Sequence, residues 1–245
     1  MTITIIGVDC AVQAQNVGLA KGSYTNGHIS IEQALIAAKE RPPIETILEW
    51  IPAASATLIA LDAPLGWPAS LGEALHVHRA GDLIAPVPNQ LFRRATDRFI
   101  KQVVGKQPLD VGADRIARTA HAALHLLADI QARTGRSISL AWEPGITKGI
   151  FAVEVYPAAT LIAHGIHSAG YKRKGSQDVR EELVRHLGRR LDLPADTSLL
   201  AEQDDALDAV ICVLAGADFL SGQVYYPPDI HQARKEGWIW VKTKE

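Results

Sequence analysis

Residues Ala56–Leu61 are almost wholly apolar and stop at Asp62-Ala63-Pro64. An apolar run this short, closed by turn residues, reads as a strand in the middle of a sheet covered on both faces. The rest of the chain must therefore supply neighbouring strands and helices on both sides. Thr2–Asp9 and Asn16–Ser23 are rich in strand-forming residues, and Asn26-Gly27 marks a hairpin turn into a third antiparallel strand, His28–Ile31. Pro42-Pro43 opens a helix to about Trp50. A strand at Phe151–Tyr156, helices ending near His164 and Leu191, a long helix from about Glu202 to Leu220, and a last short strand within Gly237–Lys242 complete the pattern.

Between these core segments, residues 64–150 change character: Pro, Gly, His and Arg become frequent, and the best helix is Ala113–Thr134. The reading is one α/β domain over residues 1–245 with a largely helical insertion at 64–150. No Gly-rich phosphate turn follows the first strand, which excludes a dinucleotide-binding fold. Of the 245 residues 47% are hydrophobic and 21% charged, the balance of a globular chain with a sizeable core. The net charge of −2 gives no global attraction to nucleic acid or acidic membranes. Two cysteines in apolar stretches, no signal peptide and no membrane-length apolar run lead us to expect a cytoplasmic protein without a membrane partner.

Acidic residues fall at the ends of core elements. Asp9 ends the first strand, Asp62 ends the apolar strand, Glu154 lies inside Ala152–Tyr156, and Asp205 and Asp208 begin the last long helix. Asp205 has an ordinary explanation, since acids stabilise helix N-termini. Asp208 does not, because it interrupts the apolar run Ala206–Leu214. Crowded carboxylates repel one another and hold protons, and a hard divalent cation such as Mg²⁺ or Mn²⁺ resolves that conflict. Two such ions support phosphodiester cleavage.

The segments Gly7-Val8-Asp9-Cys10-Ala11, Leu61–Pro68, Glu154-Val155-Tyr156-Pro157, Asp204–Ala209 and Glu236–Trp240 resemble the signature segments of the domain-of-unknown-function 429 family. That family is described as predicted nucleases of the ribonuclease H-like fold. The resemblance implies a mixed sheet, antiparallel in its first three strands and parallel thereafter. It also implies Asp9, Asp62, Asp205 and Asp208 as metal ligands; Glu154 matches a family motif and is carried as a catalytic and metal-site candidate.

A nuclease also needs a grip on phosphates. Arg93, Arg94, Arg98, Lys101 and Lys106 outnumber the acids from Asn89 to Lys106, and Lys172-Arg173-Lys174 form a second basic cluster. Both are candidates for contact with nucleic acid, DNA or RNA. The expected function is metal-dependent phosphodiester hydrolysis. The alternatives are a non-catalytic module binding nucleic acid or protein, and an actin- or sugar-kinase-like phosphotransferase. The latter is disfavoured because Ala14–Gly18 lacks a Gly/Thr-rich phosphate hairpin. His121 and His125 share a helix face, but no HExxH, GxSxG or Walker pattern is present. The oligomeric state stays open, a dimer included.

Overall fold

The structure is a computed structural model and describes residues 1–112 and 114–244. Strands β1 (Thr2–Asp9), β2 (Gly18–Thr25) and β3 (His28–Ile36) form an antiparallel meander. Asn26 and Gly27 both take positive φ, +52° and +86°, as the two-residue hairpin turn requires. Helix α1 (Pro43–Trp50) then returns the chain so that β4 (Thr57–Asp62) lies parallel to β1. Helices α2 (Ala69–His76), α3 (Pro88–Leu91), α4 (Ala95–Val104) and α5 (Asp114–Thr134) follow, with the expected start of the last, Ala113, outside the described residues.

Strands β5 (Ile138–Leu140) and β6 (Ile150–Glu154) extend the sheet in parallel, giving six strands in the order β3-β2-β1-β4-β6-β5. The central position expected for the apolar strand is observed: β4 sits between β1 and β6. Helices α6 (Pro157–Ala163), α7 (Gln177–Leu187), α8 (Ser198–Glu202), α9 (Asp204–Leu220) and α10 (Ile230–Glu236) complete the fold. This is the mixed α/β sheet that the resemblance implied, antiparallel in its first three strands and parallel afterwards. Among the described residues no helix is long and apolar enough to cross a membrane.

Two apolar layers sandwich the sheet. On one face Ile6, Val8, Ile59 and Leu61 pack with α1 and α5 through Ile47, Trp50, Ala123 and Ile130. On the other, Ile5, Leu58 and Ala60 pack with α9, whose residues Ala206 to Leu220 are all buried. A helix apolar on every side has to be enclosed. It comes unusually close to the sheet because glycines lie beneath it. A Cβ on Gly7 would stand 2.0 Å from the Ala209 carbonyl oxygen, and one on Gly18 would stand 1.9 Å from that of Asp205. That approach sets the depth of the first turns of α9 against the end of β1.

The tail departs from expectation. Residues 237–242 make only isolated bridges, Glu154 with Ile239 and Val224 with Lys242. Aromatic packing anchors the segment instead, Trp238 against Phe99 and Trp240 against Phe219.

Candidate metal centre

Asp9 and Asp62 are register partners at the C-terminal ends of the adjacent parallel strands β1 and β4. In-register partners project to the same face of a sheet, here the face covered by α9, one turn into which stands Asp208. Carboxylate oxygens of Asp9, Asp62 and Asp208 all lie within 4.8 Å of one another. Two oxygens bound to one cation at about 2.0–2.6 Å can be no more than about 5 Å apart, so the spacing suits a shared ion.

The electrostatics describe a cluster short of positive charge. Burial, then Asp208 and Asp62, push the Asp9 carboxyl well above the carboxylate range. Burial and Asp208 raise Asp62 to about 7, against the pull of Lys172. Asp208, fully buried, is also raised by burial, although Lys172 and Tyr171 act against the shift. The Tyr171 hydroxyl donates to Asp208 Oδ1 at 2.7 Å, and the Lys172 ammonium forms an ion pair with Oδ2. Burial opposes the charge on Lys172, but Asp208, Asp9 and Asp62 outweigh it and hold the ammonium above its ordinary pKa. Three convergent carboxylates, raised toward protonation although the Lys172 ammonium offsets part of their charge, fit an oxygen-seeking divalent cation.

The loop carrying Tyr171 and Lys172 is fixed from behind. Buried Arg180 donates to the Tyr171 carbonyl at 2.6 Å and to the Ala201 carbonyl at 2.6 Å, tying the loop to the segment that leads into α9.

The other sequence candidates are placed differently. Asp205 lies in the first turn of α9 beside Asp9 at the edge of the cluster, half-buried; burial and Asp204 raise its pKa. Glu154 does not join the three aspartates. Its register partner is Leu61, one residue short of Asp62, so alternation sends its side chain to the opposite face. There the Arg94 guanidinium grips it with two bonds, Nη1 to Oε2 at 2.8 Å and Nη2 to Oε1 at 2.6 Å, and the Leu65 amide donates to Oε2 at 2.9 Å. Burial raises the Glu154 pKa despite Arg94.

Arg94 was expected to face nucleic acid, yet it is 1% exposed. It binds Asp97 Oδ1 at 2.9 Å as well as Glu154, which leaves no free edge for a phosphate. Arg93 pairs with Asp110 at 2.8 Å, Arg98 donates to the Arg93 carbonyl at 2.6 Å, and Lys101 donates to the Gly105 carbonyl at 3.1 Å. Arg173 and Lys174 are exposed on the loop beyond Lys172.

Two groups escaped the sequence reading. Tyr171, buried on Asp208, stands directly before the basic cluster Lys172-Arg173-Lys174, and nothing adjacent to it in sequence marks it as an aspartate's partner. Glu236, 3% exposed, accepts from the Ala69 amide at 2.8 Å and the Ala95 amide at 2.7 Å. One carboxylate thus caps the N-termini of α2 and α4 together. The only signal was its place in the Glu236–Trp240 segment.

A cavity of about 510 Å³ opens on the aspartates. Lys106, Pro108, Leu109 and Ile116 are among its lining residues, with Tyr156, Tyr171 and Lys172.

No curated protein matches the chain. Among solved structures, T. thermophilus RuvC in complex with Holliday junction substrate aligns over 88% of this chain and 97% of its own, with 11% identity and a TM-score of 0.31. The model of the family described as "Protein of unknown function (DUF429)" matches residues 7–232, and the chain belongs to that family.

Proposed function

We propose that this protein is a divalent-metal-dependent hydrolase of phosphodiester bonds in nucleic acid, working at Asp9, Asp62 and Asp208. The observation that carries the reading is the convergence of these three carboxylates, from two strand ends and one helix, within 4.8 Å. Mg²⁺ or Mn²⁺ held there would supply Lewis acidity toward a phosphoryl oxygen and lower the pKa of bound water. Asp205, beside Asp9, would complete or tune the set. Glu154 would serve as a positioning residue: its bonds to Arg94 and the Leu65 amide hold the start of the insertion against the sheet just beyond Asp62.

The chain's own residues have defined tasks. Tyr171 orients Asp208 through Oδ1, so that Oδ2, which Lys172 holds, can pass to the cation. Lys172 holds part of the cluster's negative charge in check, and it stands where it can turn to a phosphate once a cation takes over that task. The free thiols Cys10 and Cys212 suit a cytoplasmic setting.

The test is cleavage of a mixed panel of single- and double-stranded DNA and RNA with Mn²⁺, comparing wild type with Asp208→Asn. Cleavage by wild type alone supports the proposal. Metal binding without turnover would favour a binding module, and ATP turnover would favour a phosphotransferase.

A further inference from the structure

We infer that the site takes a short unpaired stretch of one or two nucleotides, rather than gripping a duplex or a long strand. The inference rests on the metal-site reading above and adds the form of the substrate. Its first support is depth. Asp208 is wholly buried, Asp9 is 8% exposed and Asp62 is half-buried, so a scissile phosphate has to descend into the cavity lined by Lys106, Pro108, Tyr156 and Lys172. The cavity volume of about 510 Å³ lies in the range of pockets that enclose one small organic ligand. A paired strand cannot enter such a space without leaving its partner.

The second support is charge. A protein that tracks a nucleic-acid backbone spreads many cations along it. Here four of the cations expected to meet nucleic acid are spent internally, Arg94 on Glu154 and Asp97, Arg93 on Asp110, Arg98 and Lys101 on backbone carbonyls, and the exposed Arg173 and Lys174 are not among the cavity's lining residues. Among the described residues lining the cavity, Lys106 can meet phosphate directly, and Lys172 can do so once a bound cation takes its place on Asp208. The third support is the wall itself. Pro108, Leu109, Ile116 and the Tyr156 ring offer apolar and aromatic surface to an unstacked base, which binds without regard to sequence.

Two phosphate contacts on a single strand give a slope of log affinity against log salt of about −1.4, whereas six would give about −4. The experiment measures binding of nuclease-resistant phosphorothioate thymidylates, from mononucleotide to hexadecamer, and of a duplex hexadecamer, to the full Mn²⁺-loaded chain across a salt series. The expected result is affinity that levels off at the dinucleotide, weaker binding of the duplex, and a slope near −1.4 that falls to about −0.7 in Lys106→Ala. Affinity that climbs well beyond the dinucleotide with a slope near −4, or a duplex held as tightly as the strand, overturns the inference while leaving the metal-site reading intact. Failure of every length to bind, with Mn²⁺ demonstrably present, overturns both the inference and the assignment of nucleic acid as the substrate.

Discussion

Replacing Asp62 by Asn should stabilise the metal-free protein, by an amount that grows with pH. In the folded state Asp62 titrates at about 7, against 3.8 for the ordinary side chain, chiefly through burial and then Asp208. Below pH 3.8 the group is protonated whether the chain is folded or not. Between 3.8 and about 7 the unfolded chain releases the proton while the folded one keeps it, so stability falls as pH rises through that window and is level above it. At 1.36 kcal/mol per pKa unit, the penalty carried by wild type is about 2 kcal/mol at pH 5 and about 4 kcal/mol at pH 8. Asn cannot ionise and escapes it. Urea denaturation in EDTA, followed by tryptophan fluorescence, should place Asp62→Asn above wild type by those margins, or roughly 8 °C in thermal midpoint at pH 8. Saturating Mn²⁺ should reverse the order, because wild type gains a bound ion and the variant has lost a ligand. A variant less stable than wild type at pH 8 in EDTA would refute the reasoning and make Asp62 a turn-forming residue.

Three further substitutions probe the supports of the site. Lys172→Met removes the cation paired with Asp208; the metal-free thermal midpoint should fall by the equivalent of about 2 kcal/mol, and Mn²⁺ should raise it by more than in wild type. Glu236→Ala uncaps α2 and α4 at once and should cost about 3 kcal/mol in urea denaturation, with Glu236→Gln losing less and Mn²⁺ affinity by calorimetry unchanged in both. Gly18→Ala drives a methyl into the Asp205 carbonyl, so a loss of about 1–3 kcal/mol should be accompanied by weaker Mn²⁺ binding as α9 moves away from β1.

The parts of the fold legible in sequence were those fixed by local chemistry. The Asn26-Gly27 hairpin follows from turn geometry, and the central position of β4 follows from an apolar run that needs cover on both faces. Asp9 and Asp62 were visible because each closes a strand, and Asp208 because a charge within Ala206–Leu214 has no cheap burial. The exclusion of Glu154 from the cluster depends on the β4–β6 register, where a single step changes the face. Nothing within Ala152–Tyr156 specifies that step. Arg94 looked like one member of an exposed basic run, since its partners lie 3 and 60 residues away in sequence and only the assembled fold brings Glu154 to it. Lys172 was legible as a cation but not as the counter-charge of an aspartate. Its place depends on Arg180 holding the loop down. The tail shows a related limit: alternating Trp238 and Trp240 suggest a strand, but their rings pack on Phe99 and Phe219 while the backbone pairs only in passing.

The central claim is that Asp9, Asp62 and Asp208 share a divalent cation, and anomalous diffraction from a Mn²⁺-soaked crystal tests it most directly. The account predicts a manganese peak bounded by oxygens of all three aspartates at about 2.0–2.6 Å, with the Lys172 ammonium displaced from Asp208 and Glu154 still bound to Arg94. A manganese peak elsewhere, or none with Lys172 still seated on Asp208 at saturating Mn²⁺, would contradict it.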